Sequence, residues 1–267
     1  LKSEFREPYR SRFADLIRAG AGTKDIQDDQ SGRYAEQIRA YEALVEREIG
    51  RVDVHRKSLC RLIEPLVGQN SRVLDLGCGT GATTVALALS GKINATEVHG
   101  LDPNGLSIDA ARVRSEGYED VAGRVRFQVI PPDSPLPFED GYFDLSVSVS
   151  VLEYLRDSAA RLRFVQEMVR VTRSGGHIVL ITPNPFKLFN YHTGQFLGDW
   201  RKVEGFPWAS RPWELRRMLA GCDVRFLTGE QLARGLQNRN VPGASLARFL
   251  SPLGWLLDWQ KVLARKR

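Results

Sequence analysis

The chain has 267 residues, 42% hydrophobic and 26% charged, which suits a soluble globular protein of one large domain or one domain with additions. Its net charge of +6 and pI near 9.4 permit an anionic partner, but such a balance is often just a solvated surface, and nucleic acid is disfavoured. Cys60, Cys78 and Cys222 are widely spaced with no CxxC pair, which speaks against a disulfide framework or zinc site and fits a cytoplasmic location; no run approaches the roughly 18 apolar residues of a membrane span.

Leu1 implies a start that is incomplete or processed, and no signal peptide follows it. Residues 1–32 are polar and mixed and read as a loop or mobile segment, with Ala19-Gly20-Ala21-Gly22 and the acidic 25–29 stretch as its markers. Residues 33–70 read as an N-terminal helical cap. Tyr34, Ile38, Tyr41, Leu44, Val45 and Ile49 recur at helical spacing, and Leu59, Leu62, Ile63 and Leu66 mark a second helix. Then comes Val73-Leu74-Asp75-Leu76-Gly77-Cys78-Gly79-Thr80-Gly81, an apolar run ending in three glycines, with a helical pattern over 82–90. That is strand, tight turn, helix. The glycines let the backbone approach a ligand, and the new helix offers its free N–H groups to the turn. Asp75 lies in the strand end. Asp102 ends the next apolar run, Val98-His99-Gly100-Leu101, where an acid suits the two hydroxyls of a ribose.

Val73 to Gly81 resembles motif I of the class I S-adenosylmethionine (SAM)-dependent methyltransferases, small-molecule branch, and the likeness runs from about Ser71 to Asn184. The resemblance implies an α/β fold. It calls for a Rossmann-like seven-stranded sheet over 71–267, mostly parallel, with helices on both faces and the last strand antiparallel. It implies SAM as cofactor and S-adenosylhomocysteine as product. Gly77, Cys78, Gly79 and Gly81 then face the methionine part of the cofactor, and Asp75 orders their turn. Asp102 and Pro103 lie at the ribose, and Ser150 backs the cofactor. Arg33, Tyr34 and Tyr41 either close over the cofactor or pack their helix on the sheet.

Further along, 106–116 reads as a helix and 125–129 as the third strand. In the loop that follows, Leu136-Pro137-Phe138 matches the family, but the acid that meets the adenine amine is displaced by prolines. Asp133 is its nearest substitute, with Ser134 beside it. The fourth strand is 145–148. In Ser148-Val149-Ser150-Val151-Leu152-Glu153-Tyr154, Tyr154 stands where many small-molecule members carry histidine, and a phenol with a pKa near 10 is no simple replacement for it. An amphipathic helix over 161–172 and a Ser174-Gly175-Gly176 turn lead to the fifth strand, 177–181. An aromatic insertion at 185–210 is of the kind that builds a substrate pocket. Arg211-Pro212 opens a helix with proline in its first turn, and 223–227 is the sixth strand. The apolar 246–259 stretch is either an interfacial membrane helix or an amphipathic helix inserted before the seventh strand, 260–264.

Methyl transfer from a sulfonium is an in-line displacement in which alignment contributes roughly 7–11 kcal/mol. A hydroxyl nucleophile also needs a base. No Pro-Pro-aromatic run follows the fourth strand, which lowers methylation of planar amines in nucleic acid or protein, and no acid-rich metal cluster appears. The expectation is O-methylation of a small molecule, sugar or lipid-linked precursor in a biosynthetic pathway. C- or N-methylation and a non-catalytic SAM-binding role are the alternatives. Of the four histidines, His55 reads as surface, His99 as packed in the second strand and His177 as exposed at the start of the fifth. His192, in the insertion, is the candidate base or substrate ligand, followed by Glu153 and Tyr154.

Overall fold

The computed structural model describes residues 4–22, 33–68, 70–121, 123–155, 157–185, 189–190, 195–196, 209–227 and 260–267. The 25–29 stretch, most of the 185–210 insertion including His192, and the 246–259 stretch lie outside the described residues, as does the side chain of Tyr34. Two compact units divide the chain, Leu1–Ser134 and Pro135–Arg267.

In the first unit, α1 (Tyr9–Gly22) and α2 (Arg33–His55) precede the first strand. The helix α1 replaces the loop expected there, and it runs through Ala19-Gly20-Ala21-Gly22. The reason is tertiary. Phe13, Ala14 and Ile17 form one buried cluster with Val45 of α2 and with Ala110 and Val113 of a later helix. Burying a side chain such as Phe13 is worth about 1.5–3 kcal/mol, against roughly 1 kcal/mol for each helix glycine. The expected second helix is broken into a π turn at Arg56–Cys60, a short α3 (Arg61–Ile63) and a 3₁₀ turn at Glu64–Leu66, where Pro65 cannot continue the ladder. Then follow β1 (Arg72–Leu76), α4 (Ala82–Ala88), β2 (Glu97–Asp102), α5 (Gly105–Glu116) and β3 (Val125–Val129). The strands are parallel, with Val73 opposite Val98 and Asp102 opposite Val129. Val73, Leu74, Val85, Leu87, Leu101 and Ile108 are buried between strands and helices.

The second unit contains β4 (Phe143–Val149), α6 (Ser158–Val171), β5 (Thr172–Thr182), the short pair β6 (Phe189–Asn190) and β7 (Gln195–Phe196), α7 (Pro212–Met218), β8 (Cys222–Phe226) and β9 (Gln260–Lys266). Asp157 caps α6 by accepting from Ala160 N at 2.8 Å. Pro212 opens α7, and Glu214 reaches back to accept from Arg211 N at 2.7 Å. The Leu136-Pro137-Phe138 segment is fastened to α6. Arg170 donates to the Leu136 and Phe138 carbonyls at 3.0 and 2.8 Å, and Glu167 accepts from Leu136 N at 2.7 Å. These bonds fix the backbone of the segment against α6.

The large sheet has seven strands in the order β3-β2-β1-β4-β5-β9-β8. β9 runs antiparallel to both of its neighbours, as expected for the last strand, with Thr182 opposite Gln260. Among the described residues, no helix is long and apolar enough to cross a membrane.

Candidate cofactor and active site

The glycine turn lies at the carboxyl ends of β1 and β2, the edge where open α/β sheets receive ligands. Gly77, Gly79 and Gly81 all have positive φ, at 77°, 51° and 77°. A Cβ built on Gly79 would meet nothing within 4 Å, so the backbone here faces open space. Gly81 has a different reason. A Cβ there would lie 2.8 Å from Ala111 Cβ and 2.9 Å from Phe127 Cζ, so this glycine permits close packing inside the unit.

The sequence suggested that the turn offers free N–H groups to a ligand. Several are already engaged within the protein. Gly77 N and Cys78 N donate to the Leu101 carbonyl at 2.7 and 3.0 Å, and Gly81 N donates to Cys78 O at 2.9 Å. Gly79 N donates to Asp102 Oδ2 at 2.9 Å. Thr84, in the first turn of α4, donates its hydroxyl to Asp75 Oδ2 at 2.6 Å, and its backbone N–H also bonds that carboxylate. Asp75 thus binds strand to helix beneath the turn. Burial, reinforced by the nearby Asp102 charge, pushes its carboxyl up to about 7 despite the Thr84 bonds. Burial also raises the Cys78 thiol well above its ordinary value.

Asp102 is half-buried. Its second oxygen accepts from Asn104 N at 2.9 Å, and Asn104 in turn caps α5 by accepting from Ser107 N at 3.0 Å. An ionised carboxylate has about four lone-pair sites. With two bonds made, Asp102 keeps capacity for two hydroxyl donors. Pro103 is exposed beside it. Asp133, exposed, holds a left-handed φ of 62° in the loop after β3, and Ser134 is half-buried next to it.

In the second unit, Ser150 follows β4 in a left-handed conformation, φ 59°, and its N–H donates to Ile181 O at 2.8 Å. Such a conformation in a non-glycine residue costs about 1–2 kcal/mol and marks functional segments more often than others. Glu153 is 3% exposed, and its Oε2 has no hydrogen-bond partner among the described residues. Burial pushes its carboxyl up to about 7, only partly offset by a bond from its own backbone. Ser148 Oγ and Thr182 Oγ1 are also buried without a hydrogen-bond partner, and the strand register puts Ser148, Thr182 and Gln260 on one face. Tyr154, by contrast, is 69% exposed.

A family model described as a methyltransferase domain matches residues 74–180. Ajmaline N-methyltransferase of Rauvolfia serpentina is 30% identical over 138 residues, covering 48% of this chain and 45% of that protein. The chloroplastic tocopherol O-methyltransferase of Arabidopsis thaliana is 35% identical over 161 residues, 59% of this chain and 40% of that protein. The fold is similar to that of a SAM-dependent methyltransferase from Mesorhizobium loti, with a TM-score of 0.56 at 20% identity over 80% of this chain and 100% of that one. Over residues 74–180 the chain is thus similar to a methyltransferase domain, and its fold is that of class I methyltransferases. It spans less than half the length of the two curated relatives just named.

Sequence reasoning missed three features of this site. Leu106 and Val129 are 47% and 44% exposed, and both adjoin Asp102, Leu106 in the first turn of α5 and Val129 opposite Asp102 in the sheet. Leu106, four residues after Asp102, and Val129, ending the third strand, were the available signals. The third is Glu48 of α2, whose Oε2 accepts from Thr80 Oγ1 at 2.9 Å. The histidines also need correction. His55 is half-buried instead of a surface residue, and burial pulls it down to about 4. His177 is half-buried as well and held below its ordinary value by burial. His99, likewise lowered by burial, lies 3.4 Å from Glu97.

Proposed function

We propose that this chain is a SAM-dependent methyltransferase of a small-molecule acceptor, acting on a hydroxyl oxygen in a biosynthetic pathway. The observation that carries this reading is the glycine turn, open over Gly79 and flanked by the Asp102 carboxylate with acceptor capacity to spare. SAM fits that arrangement. Asp102 would take the ribose hydroxyls, Leu106 and Val129 would flank the adenine, and Asp133 and Ser134 would meet its amine. Gly77, Cys78 and Gly79 would lie along the methionine part, with Ser150 behind the cofactor and Tyr34 in the cap. Bound SAM supplies a methyl carbon already activated by a sulfonium charge.

The protein's own work is to align the acceptor oxygen and remove its proton. Glu153 Oε2 is the favoured proton acceptor. It is a carboxylate with an unbonded oxygen, and burial brings its basicity close to neutral pH. His192 is the second candidate, on its place in the insertion. The exposed phenol of Tyr154 ranks below both. The similarity to an N-methyltransferase supports a second reading, an amine acceptor, which would need less of a base.

Titration with SAM and S-adenosylhomocysteine tests the site, and micromolar binding of both is expected. A folded protein that binds neither overturns the proposal. An acceptor screen of hydroxylated glycans, phenols and alkaloid amines then separates oxygen from nitrogen chemistry. Binding with no turnover on any acceptor class would favour a non-catalytic SAM-binding partner.

A further inference from the structure

Glu48 lies on α2, some thirty residues before the glycine turn, yet its buried carboxylate is bonded to that turn. Oε2 accepts from Thr80 Oγ1 at 2.9 Å, and Thr80 stands between Gly79 and Gly81. Oε1 accepts from Arg51 Nη1 at 3.0 Å. Arg114 of α5, fully buried, donates Nη2 to the Glu48 backbone carbonyl at 2.8 Å and lies 3.7 Å from Oε2. Its guanidinium also covers the Phe13 ring of α1 at 4.3 Å. The other two nitrogens of Arg114 have no hydrogen-bond partner, which makes Glu48 its essential counter-charge. Although burial raises the Glu48 carboxyl, Arg51 and Arg114 bring it below its ordinary value, so it is ionised at neutral pH.

We infer that Glu48 is a positioning residue for the cofactor turn, holding Thr80 in place from the N-terminal helices. This rests on the proposed SAM site. The logic is preorganisation. Arg51 bonds the Glu48 carboxylate, and Arg114 holds the Glu48 backbone and demands its charge nearby whether or not a ligand is present, because a buried guanidinium cannot be left alone. The carboxylate then holds the Thr80 hydroxyl with a charge-assisted bond. The turn is ordered before the ligand arrives, and binding does not bear that ordering cost. The state of α1 and α2 is thereby felt at a turn that belongs to neither helix.

Thr80→Val is the clean probe, since it deletes the hydroxyl and leaves the Glu48–Arg114 pair intact. S-adenosylhomocysteine affinity should fall about tenfold, the range for a hydrogen bond to a charged group. Thr80→Ser should restore it. In a Glu48→Gln background, Thr80→Val should add less than about twofold, because the pair acts as a unit. In the free protein, amide exchange across residues 78–82 should quicken in Thr80→Val while the thermal midpoint stays close to wild type. Wild-type affinity in Thr80→Val, or effects that simply add, would overturn the inference. So would unchanged amide exchange, even if wild type binds no nucleoside at all. That last outcome in wild type counts against the SAM site, not against the coupling.

Discussion

Glu153→Gln should make the folded protein more stable above neutral pH while reducing its activity. Glu153 is 3% exposed, and burial raises its carboxyl from 4.5 to about 7. The sign follows from proton linkage. Below pH 4.5 the group is protonated in both folded and unfolded chains. Between 4.5 and about 7 the unfolded chain has released the proton and the folded chain still holds it, so stability declines as pH rises. Above about 7 the loss is complete. At roughly 1.4 kcal/mol per pH unit, the loss comes to about 3 kcal/mol. A glutamine of the same shape has no proton to exchange. Asp75 and His55 also titrate in this range, but equally in both proteins, so they cancel in the difference. Urea unfolding of wild type and variant, at intervals from pH 4.5 to 8.5, gives the measurement. The variant should gain on the wild type by about 3 kcal/mol across that span. Parallel stability curves would refute the reasoning, because they would mean the carboxyl is not held near 7. A turnover rate unchanged by the same substitution would remove Glu153 as proton acceptor whatever the stability result.

Asp102→Ala should weaken S-adenosylhomocysteine more than about tenfold with the fold intact, since it removes the ribose acceptor and the bond to Gly79 N; unchanged affinity in calorimetric titration would end the ribose assignment. Gly81→Ala places a Cβ 2.8 Å from Ala111 Cβ at a φ of +77°, and should cost about 1–3 kcal/mol in urea unfolding. A wild-type midpoint would show that the packing can relax. His192→Ala should lower turnover with little change in cofactor affinity, and full activity would remove its proposed role.

Much of this was legible because some residue types admit few conformations. Three glycines at positive φ, after an apolar run, announced the turn before Ala82. The acid ending the second run marked Asp102. The family resemblance called for a seventh strand, and 260–264 was the stretch left for it once six were assigned. What stayed hidden depends on contacts between distant residues. The stretch of α1 carries two glycines and four charges among its fourteen residues, which mask the helical spacing of Tyr9, Phe13, Leu16 and Ile17. Phe13 and Ile17 are buried on a surface that α2 and α5 supply, and that burial stabilises the helix. Glu48 sits among Glu46, Arg47 and Arg51 and reads as one more charge on a wet helix face. Only the fold shows that its partner Arg114 is fully buried. Glu153 was visible as a candidate, but its burial and its unbonded oxygen were not.

Three carboxylates of the first unit divide the labour around the turn. Asp102 of β2 holds Gly79, Glu48 of α2 holds Thr80, and Asp75 of β1 holds Thr84 at the start of α4. Each comes from a different element, and each bonds a different residue. Methyl transfer draws on alignment, worth roughly 7–11 kcal/mol, more than on proton removal, worth about 100- to 10,000-fold in rate. On the proposed function, the protein therefore gains most by fixing the backbone that would hold the cofactor. The buried polar contacts of this chain are arranged accordingly. In the first unit three of them fall within six consecutive residues of turn and helix start, Gly79 to Thr84. In the second unit they leave Glu153 with an oxygen unbonded. The two sets of substitutions should therefore separate in kinetics. Changes at Thr80 and Asp102 should act through cofactor affinity, whereas Glu153→Gln should act on turnover with cofactor affinity preserved.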